Sequence, residues 1–118
     1  MPWALPDSDD ALLRLAKGYP YAAPDGSYLY REGESAALAG PLDPALTAGR
    51  LPVIAHGSNR APEQIHRKFG HLVGAASEIP VTRAWLHDHD VVYSAHMTRY
   101  GSISATLHEA PGTRVQVY

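Results

Sequence analysis

The sequence predicts an α+β domain with a mixed, partly closed β-sheet or barrel and one or two helices. Three observations lead to this prediction. The chain has 118 residues, 45% of them hydrophobic and 19% charged, which suffices for one globular core. Ten prolines and ten glycines are typical of many turns and short strands rather than a helical bundle. The last third alternates apolar and polar residues, as half-buried strands do.

The composition argues against several classes of protein. The formal net charge is −2 and basic residues are scattered singly, so we expect no nucleic-acid and no membrane partner. The absence of cysteine excludes disulfides and cysteine-ligated metals. The N-terminus lacks the pattern of a secretory signal, and no apolar run is long enough to span a membrane. A cytoplasmic protein without metal or cofactor is the expectation.

The first helix is predicted over residues 9–17. Ser8 can cap it, two acidic residues follow in the first turn, Lys17 lies in the last turn, and Gly18 comes just after it. These are the preferred residue types at the two ends of a helix dipole.

Residues 1–50 are predicted to be an N-terminal extension that packs on the core. Apart from the first helix its periodicity is poor, with a turn at Asp25-Gly26 and a short strand at residues 28–30. Four tyrosines in this extension could line a ligand pocket or anchor the irregular chain, and anchoring is the commoner role. These are Tyr19, Tyr21, Tyr28 and Tyr30.

The central stretch has the order strand, loop, helix. Residues 53–55 form an apolar run that predicts a buried strand, residues 56–59 are turn formers, and Pro62 suits the first turn of a helix that reaches Phe69 or His71. A helix start leaves N–H groups unpaired, so a Gly-Ser-Asn loop there can hold a carboxylate or carbonyl oxygen. An ordinary connection, with the side chains bonded to their own backbone, is the alternative.

The last third predicts antiparallel strands. Residues 81–86 and 91–95 flank His87-Asp88-His89-Asp90, which suggests a hairpin with a four-residue loop. A strand at residues 103–107, a Pro-Gly turn and a strand at residues 114–118 follow. Because the chain stops within an alternating strand, we expect the domain to continue further or a second chain to complete the sheet; the alternative is a packing of this strand that the sequence does not show.

From Pro52 onward the chain resembles the γ-glutamylcyclotransferase-like fold family. In that family an apolar strand ends in Tyr-Gly-Ser-Asn, and a small-residue strand later precedes a Pro-Gly turn. Here the corresponding segments are residues 53–59 and 103–112. The resemblance implies a domain over residues 51–118, incomplete at its C-terminal end, and a ligand of the γ-glutamyl class held by Gly57, Ser58 and Asn59.

Members of the family with known activity cyclise a γ-glutamyl amine. The α-amino group attacks the γ-carbonyl carbon and releases 5-oxoproline and the free amine, a proximity-driven reaction that needs a base. Two positions differ here. His56 replaces the family's tyrosine, and the family's catalytic Glu lies beyond Tyr118. The resemblance therefore implies cyclotransferase activity only if a Glu is supplied from beyond residue 118; the alternative is a non-catalytic binding or assembly module.

Two other kinds of chemistry have weaker support. The histidine spacings do not form a metal-binding pattern, and a solvated loop is the more probable role of His87 and His89. Ser58 lacks the second glycine of a nucleophile elbow, although His56 leaves a Ser–His pair geometrically open.

The predicted site binds a small amino-acid-derived ligand, and no catalytic residue is assigned. The expected protein partner is another copy, or a second chain that pairs with the C-terminal strand. Strand ends near such a loop commonly contribute walls, which adds three residues from the last third. The predicted ligand-binding residues are His56, Gly57, Ser58, Asn59, Arg60, Tyr93, Ser94 and Tyr100.

Overall fold

The structure is a computed structural model that describes residues 4–118. Its α-helices are α1 (Asp9–Gly18), α2 (Pro44–Thr47) and α3 (Pro62–Phe69). Its strands are β1 (Tyr28–Arg31), β2 (Glu34–Ala37), β3 (Ile79–Val81), β4 (Ala84–Met97) and β5 (Ile103–Val117). Short 3-10 helices occupy Ser58–Arg60 and Gly74–Ser77. The α+β class is confirmed.

The strands form two antiparallel sheets. β1 lies between β2 and β3 in the first sheet, and β4 pairs with β5 in the second. The described chain therefore contains neither the predicted mixed sheet nor a closed barrel. Each neighbouring pair runs antiparallel. Because β1 pairs with β3, residues 28–37 of the predicted N-terminal extension share a sheet with the later part of the chain.

The predicted first helix is confirmed. Ser8 caps α1 by accepting a hydrogen bond from the Ala11 N–H at 3.3 Å, and Lys17 lies in the last turn. Leu15 is buried, whereas Leu13 of the same helix is 52% exposed. α3 also follows the prediction, and its Ile65 is buried.

The predicted buried strand at residues 53–55 is wrong. These residues are in no strand, and Val53 is 80% exposed. Within the described range, only Ala55 of this run pairs with another extended segment. It exchanges two backbone hydrogen bonds with Tyr118, at 2.7 and 2.9 Å. An apolar run is buried only where a neighbouring element covers it, which the sequence pattern does not reveal.

The predicted hairpin loop at residues 87–90 is also wrong. These residues belong to β4, which continues to Met97, and the turn lies at residues 98–102. Gly101 supplies a φ of 89° there. Asp88, with a φ of 59°, instead forms an irregularity opposite β5, where its carboxylate accepts from the Gly112 N–H at 3.0 Å. The Pro-Gly pair predicted to form a turn lies within β5, at this irregularity.

Tyrosines form much of a small core. Leu15, Tyr21, Ala61 and Tyr100 make one buried cluster. Tyr28, Tyr30, Ile65 and Val81 make the other. The tyrosine hydroxyl groups contact distant parts of the chain. Tyr28 donates to the Arg60 carbonyl at 2.7 Å, and Tyr30 bonds His66 Nδ1 at 2.8 Å.

We predict that Tyr28→Phe lowers the free energy of unfolding by about 1 kcal/mol, because the hydrogen bond to the Arg60 carbonyl is lost. Tyr28 is 1% exposed. Urea unfolding followed by circular dichroism measures the loss. Tyr93→Phe is the matched control, since Tyr93 is 87% exposed and should show no change. Equal stabilities of the two variants would contradict the role of the buried hydroxyl.

We also predict that stability falls at alkaline pH. Burial, assisted by neighbouring tyrosines, raises the pKa of Tyr21 and of Tyr28 to about 12. The unfolded chain ionises these groups near about pH 10, so this stability is complete below that pH and is lost as the pH rises towards about 12. The urea midpoint should fall across this range, and less steeply in Tyr28→Phe. A constant midpoint would refute the effect.

Candidate functional site

A large cavity lies between α1, the central loop and the β4–β5 hairpin. Its volume is about 810 Å³, within the range typical of small-molecule sites. One wall comes from the central loop, with His56 and Arg60, and another from Tyr19, which follows α1. The hairpin contributes the rest, including Tyr93, Ala105 and Gln116.

The hairpin is attached to α1 by two polar contacts beside this cavity. The Ser102 hydroxyl donates to the Ala16 carbonyl at 2.6 Å. The Tyr19 hydroxyl accepts from the Ala105 N–H at 2.8 Å. Both contacts join residues far apart in sequence, so the cavity wall depends on tertiary packing.

His56 has an unsatisfied acceptor in the cavity wall. Its Nε2 lies 3.2 Å from the Ala105 carbonyl oxygen, which can only accept, so Nε2 carries the proton. In the neutral ring Nδ1 is then an acceptor. This atom is buried and has no hydrogen-bond partner. Such an atom costs free energy unless a bound molecule or water donates to it.

Arg60 is the only charged residue among the described residues that line this cavity. Its Nε donates to the Gly57 carbonyl at 3.0 Å, and its guanidinium carbon lies 6.0 Å from the centre of the Tyr118 ring. Across residues 4–118 it forms no ion pair with a carboxylate. A guanidinium held this way can receive a carboxylate from a ligand.

The predicted site residues are only partly brought together. His56, Arg60 and Tyr93 line the large cavity. Gly57 and Ser58 do not line it, and Asn59 faces a second cavity, where its Oδ1 accepts from Lys68.

The last two predicted residues have structural roles. Ser94 bonds Ser104 within the hairpin, and Tyr100 is buried in the cluster with Leu15. Tyr19 is not among the ligand-binding residues predicted from the sequence, although the tyrosines of the N-terminal extension are candidates for pocket residues. Tyr19 lines the cavity, whereas Tyr21, Tyr28 and Tyr30 are buried anchors.

Three negative findings concern metal ligation, membrane spanning and similarity to known proteins. Among residues 4–118 no three His, Asp or Glu side chains are grouped as metal ligands. None of the helices in the described part of the chain is long and apolar enough to cross a membrane. Comparisons of the chain with protein-family models, with curated proteins and with solved structures gave no match.

Gly57 is constrained by the cavity wall. A Cβ atom added there would lie 2.7 Å from the Tyr19 hydroxyl oxygen, which is too close. We predict that Gly57→Ala moves this hydroxyl away from the Ala105 N–H and lowers the free energy of unfolding by about 1 kcal/mol.

A double-mutant cycle tests this contact. Because Phe lacks the hydroxyl, Gly57→Ala should cost almost nothing in a Tyr19→Phe background. Gly26→Ala is the control, since its added Cβ would meet nothing within 4 Å. Urea unfolding gives the four free energies. Additive effects of the two substitutions would show that the Tyr19 hydroxyl is not what restricts position 57.

Proposed function

We propose that the protein binds a small amino-acid-derived ligand of the γ-glutamyl class in the large cavity. The observation that carries the proposal is the pair of unsatisfied groups on one wall. Arg60 supplies a cation without a carboxylate partner among the described residues, and His56 supplies a buried acceptor without a donor. A ligand with a carboxylate and an N–H group offers both missing partners.

The rest of the cavity supports a ligand of this size. Val91, Val92 and Ile103 provide apolar contact, and Gln116 provides an amide that can donate and accept. No acidic side chain of the described residues lines the cavity, so a ligand carboxylate meets no repulsion from its walls.

Catalysis is the second candidate function, and His56 is the observation that favours it. In the cyclisation of a γ-glutamyl amine, the α-nitrogen forms a bond to the γ-carbonyl carbon and the C–N bond to the leaving amine breaks. The attacking nitrogen loses a proton and the leaving nitrogen gains one. His56 Nδ1, with Nε2 held by Ala105, is arranged as a base that could receive the first proton.

Calorimetry with γ-L-glutamyl-L-alanine tests binding. We expect measurable affinity in the unmodified chain and a loss of about tenfold in Arg60→Gln, because a charge-assisted hydrogen bond is removed. Arg14→Gln, an exposed change on α1, is the control and should bind normally. If the probe does not bind, or if both variants bind alike, the proposed site is wrong.

Release of 5-oxoproline from the same probe distinguishes the two candidates. Turnover that disappears in His56→Gln while binding persists would support catalysis, because the glutamine amide can still donate to the Ala105 carbonyl but lacks Nδ1. Binding without turnover supports a binding module.

A further inference from the structure

A second cavity lies on the other side of the central stretch, between α3, β3 and residues 50–55. Its volume is about 610 Å³, and it shares no lining residue with the large cavity. The walls are mainly apolar. They include Leu51, Val53, Ile65, Phe69, Ile79 and Pro80.

The apolar surface of this cavity is open to solvent. Leu51 is 90% exposed and Val53 is 80% exposed, although both are large aliphatic residues. Phe69 of α3 is also exposed. A contiguous group of exposed apolar residues next to a concave surface is typical of a binding site.

Two cations line the same cavity, and no acidic side chain of residues 4–118 does. These are Arg50 and Lys68. The Arg50 guanidinium donates to the backbone carbonyl of Glu78, whose carboxylate is 3.4 Å from Arg31. Among the described residues, neither cation forms an ion pair with an acidic side chain.

Lys68 is the less compensated of the two cations. It is half-buried, and its ammonium nitrogen donates to the neutral Asn59 Oδ1 at 2.7 Å. Burial lowers the pKa of Lys68, since a partly desolvated ammonium lacks the water that stabilises its charge. Across residues 4–118 it makes no ion pair. A bound anion would offset this desolvation, whereas a neutral or cationic ligand would not.

We propose that this cavity binds an amphipathic anion, a monocarboxylate with an unbranched apolar chain. The carboxylate is received by Lys68 and Arg50, and the chain lies against Leu51, Val53 and Ile65. Charge complementarity selects the anion, and the exposed aliphatic walls select the apolar chain. This site is separate from the proposed γ-glutamyl site.

Calorimetry with sodium decanoate, kept below its micellar concentration, tests the proposal. We expect binding to the unmodified chain and about tenfold weaker binding to Lys68→Met, which keeps the apolar stem and removes the charge. Lys17→Met, on the exposed end of α1, is the matched control and should bind normally. Circular dichroism establishes that both variants are folded.

Decyltrimethylammonium, with the same chain and the opposite charge, completes the experiment. It should bind much more weakly than decanoate. Equal binding of the two amphiphiles, equal binding to Lys68→Met and the unmodified chain, or no binding of decanoate would each overturn the proposal. A dimer in sedimentation that Val53→Asp dissociates, combined with no decanoate binding, would show that a second copy covers this surface instead.

Discussion

The fold depends on tyrosine hydroxyl groups that join segments far apart in the chain. The buried core is small, and much of it consists of tyrosine rings. A buried hydroxyl needs a partner, so each ring also restricts a second segment. Tyr28 donates to the Arg60 carbonyl, Tyr30 bonds His66 Nδ1, and Tyr19 accepts from the Ala105 N–H. Such hydrogen bonds attach the largely irregular first third of the chain to the helices and the hairpin. This attachment does not depend on long regular strands in that third.

The same bonds determine the geometry of the large cavity. The Arg60 carbonyl accepts a hydrogen bond from Tyr28, and the Arg60 Nε donates to the Gly57 carbonyl. Together these two bonds orient the remaining guanidinium nitrogens, and no salt bridge among the described residues takes part. His56 is held at Nε2 by Ala105, the residue that Tyr19 also contacts. Among the described residues, the Arg60 guanidinium has no carboxylate partner and the buried His56 Nδ1 has no hydrogen-bond partner. Their rigid placement would reduce the entropy lost on binding.

The two cavities differ in the kinds of interaction that their walls can form with a ligand. The large one presents polar groups on a defined wall, and for this reason we propose a small polar ligand there. The second presents aliphatic surface with a partly desolvated ammonium at Lys68, and suits a molecule that is apolar at one end. Asn59 connects them physically, since its backbone belongs to the central loop and its side chain bonds Lys68. A change in the conformation of this loop would therefore alter both cavities.

Local sequence determined the elements whose signals are local. The cap at Ser8, the first-turn proline of α3 and the short strand at Tyr28 depend on residues within a few positions, and all three are present. Of the predicted site residues, His56, Arg60 and Tyr93 line the large cavity. Only the tertiary structure decided that Val53 is exposed. It also decided that the hairpin turns at Gly101 rather than at residues 87–90, because burial and turn position depend on which segments lie opposite one another. For the same reason the second cavity, made from residues 42–118, had no signal in the sequence.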